Sequence, residues 1–127
     1  MEKKIIVSSK LPVAGPYSAA VEANGFIFLS GQLPVNPTTG EIISDIRDAT
    51  RQVLVNIQTL LEETGLPLSN VVKTTIFLKS MADFPVVNEI YAEFFPEEPP
   101  ARSTIEVSSL PKGAQIEIEA VAIRRQR

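Results

Sequence analysis

The chain has 127 residues and a formal net charge of −3, and it contains no histidine, cysteine or tryptophan. Chemistry that needs a thiolate nucleophile, an imidazole base or a His/Cys zinc site is therefore excluded, which leaves carboxylates, lysine, tyrosine, arginine, hydroxyls and the backbone. With 44% hydrophobic residues it predicts one domain over residues 1–127 with a real core. Lys and Arg fall singly except at Lys3-Lys4 and in the Arg124-Arg125-Gln126-Arg127 tail, a distribution that argues against nucleic acid as a partner. No stretch has the apolar length of a membrane span, and too few apolar residues follow Met1-Glu2-Lys3-Lys4 for a signal peptide. The expectation is a soluble, cytoplasmic protein.

In chain order, Lys4 to Val7 reads as a short strand. After the Pro12-Val13-Ala14-Gly15-Pro16 loop, Tyr17 to Glu22 and Phe26 to Ser30 flank Asn24-Gly25, a hairpin signal. Asn36-Pro37-Thr38-Thr39-Gly40 turns the chain toward Asp45, placed to cap a helix whose stripe is Ile46, Ala49, Val53, Ile57, Leu60 and Leu61; Gly65 and Pro67 stop it. Val71 to Leu78 is a strand. Asp83 is expected to cap a second helix with Val86, Val87, Ile90, Tyr91, Phe94 and Phe95 inward, ended by Pro96. The diproline Pro99-Pro100 introduces a strand that Arg102 opens, and Gln115 to Arg124 forms the last.

The order β-β-β-α-β-α-β-β predicts an α+β fold, a six-stranded mixed sheet with two helices on one face. Phe26-Ile27-Phe28-Leu29 is apolar on both sides, and Val71, Phe77, Val121 and Ile123 add nonpolar area away from the helices. An uncovered face of that kind predicts a homo-oligomer.

The last strand also carries the clearest chemical signal. At period two, Ile116, Ile118, Ala120 and Ala122 share one face, and Glu117 and Glu119 share the other with Val121 and Ile123. Carboxylates on a covered face need partners, and Arg102 is the obvious candidate. Arg102 suits either a salt bridge to Glu106 or Glu117, or a planar fork for a small carboxylate ligand. Glu117 and Glu119 read as solvated edge carboxylates or, beside an arginine, as a general base. Gly31 is a bulge or turn glycine, or a backbone N–H that approaches a ligand closely. Tyr17 reads as the aromatic that starts the hairpin, and such a phenol also lines pockets; Asn88 is a solvated helix residue unless it reaches an interface.

Gly15-Pro16-Tyr17-Ser18, Ser30-Gly31-Gln32, Val71-Val72-Lys73-Thr74-Thr75, Asn88-Glu89-Ile90-Tyr91, Pro100-Ala101-Arg102-Ser103 and Leu110-Pro111-Lys112-Gly113 through Ile116-Glu117-Ile118-Glu119-Ala120 together resemble the RidA (YjgF) reactive intermediate deaminases over nearly the whole chain. The resemblance implies a chorismate-mutase-like fold, a homotrimer and ligand clefts between subunits. It implies hydrolysis of 2-imino acids, derived from 2-aminoacrylate and 2-aminocrotonate, to 2-keto acids and ammonia, with no cofactor and no metal. Arg102 would hold the substrate carboxylate and Glu117 would position water, with Tyr17, Ser30, Gly31, Asn88 and Thr104 lining the cleft. Two positions depart from the family pattern: Thr104 stands where many members carry cysteine, and Ala19 where glutamine is common. The alternative is a non-catalytic trimer that binds keto acids for regulation. An RNA-cleaving role, attached to some relatives, sits poorly with an acidic chain that lacks histidine.

Overall fold

The computed structural model describes residues 2–124; Met1 and the Arg125-Gln126-Arg127 end of the basic tail lie outside the described residues. Its strands are β1 (Lys3–Ile6), β2 (Ala20–Ala23), β3 (Phe26–Gln32), β4 (Val71–Leu78), β5 (Ala101–Glu106) and β6 (Ile116–Ile123). The helices are α1 (Ile46–Glu62) and α2 (Phe84–Phe94). One mixed sheet runs β1-β2-β3-β6-β4-β5, antiparallel except for the parallel pair β4 and β5. This is the expected α+β architecture of six strands and two helices.

The local chemistry explains the elements. Asn24 and Gly25 take φ of 53° and 83°, the left-handed pair that a tight hairpin needs. The hairpin strand begins at Ala20 rather than Tyr17, because Tyr17 N–H turns back to the Gly15 carbonyl at 2.9 Å and leaves the loop bent. Asn36 Oδ1 accepts from Thr38 N–H, and Asp45 accepts from Asp48 N–H to start α1. Asp83 does not cap α2. Its backbone is already helical in a tight turn over Met81–Asp83, and the following Pro85 has no N–H to offer. Ser80 caps that turn instead, through Ala82 N–H.

The core lies between the helices and one sheet face: Ile27, Ile76, Leu78, Ile116, Ile118 and Ala122 meet Val53, Ile57, Leu60, Val87 and Ile90. Exposed ion pairs Arg47–Glu89 at 2.9 Å and Arg51–Glu93 at 2.7 Å lace α1 to α2 and contribute little to stability.

The other face is open and apolar, with Phe26, Phe28, Ile105 and Ile123 each between 38% and 49% exposed. Val71 is not part of it. The β4–β6 register shifts between Val71 and Lys73, which turns exposed Val72 into the extra residue of a bulge and sends Val71 into the core at 4% exposure. No helix among the described residues is long and apolar enough to cross a membrane.

Candidate functional site

Arg102 sits on β5, where parallel pairing sets it beside Thr74. Thr74 is 1% exposed and shares a 2.7 Å hydrogen bond with the Tyr91 hydroxyl of α2, so this register points Arg102 to the helix side. Its guanidinium carbon lies 4.9 Å from the Tyr91 ring centroid and 5.4 Å from that of Phe84. The two rings fix the flat cation between them. Burial pushes the Tyr91 phenol above its usual pKa, with Thr74 and Arg102 opposing, so the ring stays neutral.

Among the described residues the Arg102 guanidinium takes part in no ion pair or hydrogen bond. The salt bridges that the sequence allowed do not form: Glu106 accepts instead from Met81 N–H at 2.7 Å, and Glu117 stands on the opposite sheet face. Beside Arg102 opens a groove of about 470 Å³ bordered by Asn88, Tyr91, Phe95 and Pro99-Pro100. Asn88 Oδ1, on this groove, and Thr104 Oγ1, two residues beyond Arg102 on the same face of β5, are buried without a hydrogen-bond partner, an uncommon condition in a folded protein.

Glu117 belongs to a different cluster. It pairs with Phe77 on β4, between Ile116 and Ile118, which are both fully buried on the helix side; Glu117 therefore faces the open side. On the adjoining strand, Leu29 pairs with Ala120 and Gln32 with Ile118, so Ser30 and Gly31 together oppose the single residue Glu119. This bulge brings the backbone of Gly31 against the Glu117 side chain. A Cβ built at Gly31 would overlap the Glu117 carboxylate and lie 2.8 Å from Cδ. Ser30 fastens the bulge to the Tyr17 loop: its hydroxyl donates to the Ser18 carbonyl at 2.6 Å and its N–H to the Ala19 carbonyl at 2.9 Å. Burial raises the Glu117 carboxyl above its usual pKa, and the neighbouring charge of Glu119 raises it further.

The seven sequence-derived site residues thus fall into two groups. Arg102, Asn88 and Thr104 gather under α2; Tyr17, Ser30, Gly31 and Glu117 gather around the β3 bulge. Arg102 and Glu117 lie two strands apart and on opposite faces, so within one chain the arginine is not the partner of the carboxylate. Sequence reasoning missed the ring clamp: Phe84 and Tyr91 are seven residues apart on one helix stripe, a spacing that was available, and Tyr91 read only as core.

The chain is similar to known proteins over nearly its whole length. The sequence model of the Endoribonuclease L-PSP family matches residues 7–124. A RutC family protein of Pyrococcus horikoshii is 51% identical over 124 residues, covering 96% of this chain and 98% of that protein. The 2-iminobutanoate/2-iminopropanoate deaminase of Escherichia coli K12 is 46% identical over 126 residues, covering 96% and 98%. The crystal structure of Escherichia coli TdcF with bound serine superposes with a TM-score of 0.90 at 40% identity, covering 96% of this chain and 99% of that one. By sequence match and by fold, the chain belongs to the RidA (YjgF) family, to which the Endoribonuclease L-PSP model corresponds.

Proposed function

We propose that this protein is a 2-imino acid deaminase that hydrolyses the imine tautomers of 2-aminoacrylate and 2-aminocrotonate to 2-keto acids and ammonia in the cytoplasm, without a cofactor. The observation that carries the reading is the Arg102 guanidinium, clamped between two rings at the edge of a groove and bonded to no described residue. A planar fork held in that way accepts a carboxylate through two parallel N–H···O bonds. The deaminase name of a relative 46% identical over nearly its full length supports the chemistry. Serine bound to TdcF supports a small amino-acid-like ligand.

Hydrolysis needs a water delivered to C2. Glu117 is the candidate base, since burial raises its pKa and makes the carboxylate a stronger proton acceptor. As water adds to C2, Glu117 takes a proton. The protonated Glu117 then returns that proton to the nitrogen, and collapse of the tetrahedral adduct breaks the C2–N bond, leaves the water oxygen on C2 as the keto oxygen and expels the nitrogen as ammonia, with Glu117 again a carboxylate.

Because Arg102 and Glu117 occupy opposite faces of one sheet, the cleft requires a second copy. The open apolar face with Phe26, Phe28 and Ile123 supplies a surface for it. In our reading Arg102, Asn88 and Thr104 of one copy stand opposite Tyr17, Ser30, Gly31 and Glu117 of the next. Three copies close this arrangement as a homotrimer of the chorismate-mutase-like kind.

The test is release of pyruvate and ammonia from 2-aminoacrylate, generated in situ by a pyridoxal-phosphate-dependent dehydratase, with and without this protein. Acceleration is expected. The same split geometry favours one other reading, because a chain whose arginine binds while its carboxylate stays remote would be a keto-acid-binding regulator. Pyruvate binding without acceleration would select that reading.

A further inference from the structure

Asn56 lies in the middle of α1, 1% exposed, among the core residues Val53, Ile57 and Leu60. A buried amide at the centre of a helix is unfavourable unless both of its ends are bonded. Its Nδ2 donates to the Leu33 carbonyl at 3.2 Å and to the Val35 carbonyl at 2.9 Å, and its Oδ1 accepts from Gln52 Nε2, one helical turn earlier, at 2.8 Å. Among the described residues these two donated bonds are the only hydrogen bonds that tie segment 33–44 to anything outside it. The others, such as Val35 N–H to the Leu33 carbonyl and Ile43 N–H to the Pro34 carbonyl, are internal. Leu33 follows Gly31 by two residues, where the pairing of β3 with β6 ends at Gln32 and Ile118. The Ser30–Gly31 bulge is therefore held from both sides: Ser30 ties it to the Tyr17 loop, and Asn56 ties its exit to α1.

We propose that Asn56 is a positioning residue for Glu117: by fastening the exit of β3 to α1 it keeps the backbone of Gly31 against the Glu117 carboxylate, and so sets the rate of hydrolysis rather than the binding of carboxylates. The inference rests on the reading of Glu117 as the base. Gly31 packs directly on that carboxylate, so a slack exit from β3 would let the bulge drift away, admit solvent to the carboxyl and misplace it relative to C2. Arg102 stands two strands away on the opposite face and would not feel the change. Turnover and carboxylate binding should therefore come apart when the Asn56 amide is removed.

The experiment compares the wild-type protein with Asn56→Leu, which keeps the volume and removes both donors, and with Gln52→Leu, which leaves Asn56 in place but unlatches its amide. The readouts are kcat for iminopropionate, pyruvate affinity by calorimetry, and the pKa of the Glu117 carboxyl by carboxyl-carbon NMR without ligand. Asn56→Leu should lower kcat about 10-fold or more and keep pyruvate affinity within about 3-fold. The Glu117 pKa should move down toward the ordinary 4.5, because the burial that raises it is relieved. Glu119 and Lys73, charged groups on the same face as Glu117, are unaltered in both variants. Gln52→Leu should shift both quantities in the same direction, kcat by about 3-fold, and it decides the matter if Asn56→Leu does not fold. A merely structural amide would lower the Tm and leave the Glu117 pKa of the folded protein where it was; that result overturns the inference, as does a loss of pyruvate affinity as large as the loss of kcat. Glu117→Gln separates the two levels. If it turns over normally, the base itself falls and the Glu117 pKa alone decides whether Asn56 places the carboxyl; if it is inactive while Asn56→Leu matches wild type, only the role of Asn56 falls.

Discussion

Gly31 and Glu117 are spatial complements: the space that a Cβ at residue 31 would need is filled by the Glu117 carboxylate, whose Cδ would stand 2.8 Å from it. The glycine is demanded by this close approach, and the β3 bulge that carries Ser30 and Gly31 is what brings the backbone there. Gly31→Ala should therefore displace the carboxylate rather than strain the main chain. Turnover of iminopropionate should fall by ~10²-fold, as for loss of a general base, while overpacking lowers stability by about 1–3 kcal/mol. Rate measurements together with thermal melts check this. Wild-type turnover in the alanine variant would mean that the position of Glu117 is unimportant.

The two carboxylates of β6 should separate by function. Glu117 faces the bulge, whereas Glu119 is exposed and paired across the ladder with Thr75. Glu117→Gln keeps shape and loses the base, so turnover should drop by ~10²-fold or more while pyruvate still binds through Arg102. Glu119→Gln should stay within a few-fold of wild type. Steady-state rates and pyruvate titrations of both variants decide it, and the reverse ranking would reassign the base.

The pKa of Glu117 gives a pH prediction. Burial is the larger cause of its upward shift and the charge of Glu119 the smaller. With the ionised form as the proposed base, kcat/KM should fall as pH drops through a value above the ordinary carboxylate 4.5. Glu119→Gln removes the like charge and should move that limb toward lower pH without abolishing it, because burial persists. The linkage to stability has the opposite sense. A carboxyl with a raised folded-state pKa contributes stability below its unfolded pKa and loses that contribution as pH rises through the folded value. Glu117→Gln should accordingly melt no lower than wild type at neutral pH, even as activity is lost. A limb that ignores Glu119 would contradict the assigned cause.

Local rules carried most of the fold into the sequence. Asn24-Gly25, Asp45 and the α1 stripe are readable because turn chemistry, capping and helical period act over a few residues. Val71 was misplaced because one bulge at Val72 inverts the period-two face, and bulges leave little local trace. Period two did place Glu117 and Glu119 on the open face. The face of Arg102 was not readable: it depends on which residue of β4 it pairs with, a long-range register. For that reason the sequence suggests Arg102 and Glu117 as one pair, whereas the fold sets them on opposite faces of the sheet.

That split makes the last prediction a test of assembly and chemistry at once. Arg102→Lys keeps the charge but loses the fork, and Glu117→Gln loses the base, so each variant alone should be nearly inactive. If each cleft takes Arg102 from one copy and Glu117 from its neighbour, mixed trimers regain intact clefts. A cleft is whole where a subunit with native Arg102 precedes one with native Glu117 around the ring, and every trimer containing both variants has one such junction. Random mixing makes about three-quarters of trimers mixed, with one cleft in three restored, so activity should return to about a quarter of wild type. Unfolding and refolding the two variants together, then measuring iminopropionate turnover against each variant refolded alone, gives the readout. Recovery near a quarter supports a cleft shared between copies in a closed ring of three. Absence of recovery, with native mass spectrometry of one isotope-labelled variant showing that mixed trimers had formed, would place both residues in one chain's own site, which the opposite faces of the sheet forbid, and the proposed cleft would have to be abandoned.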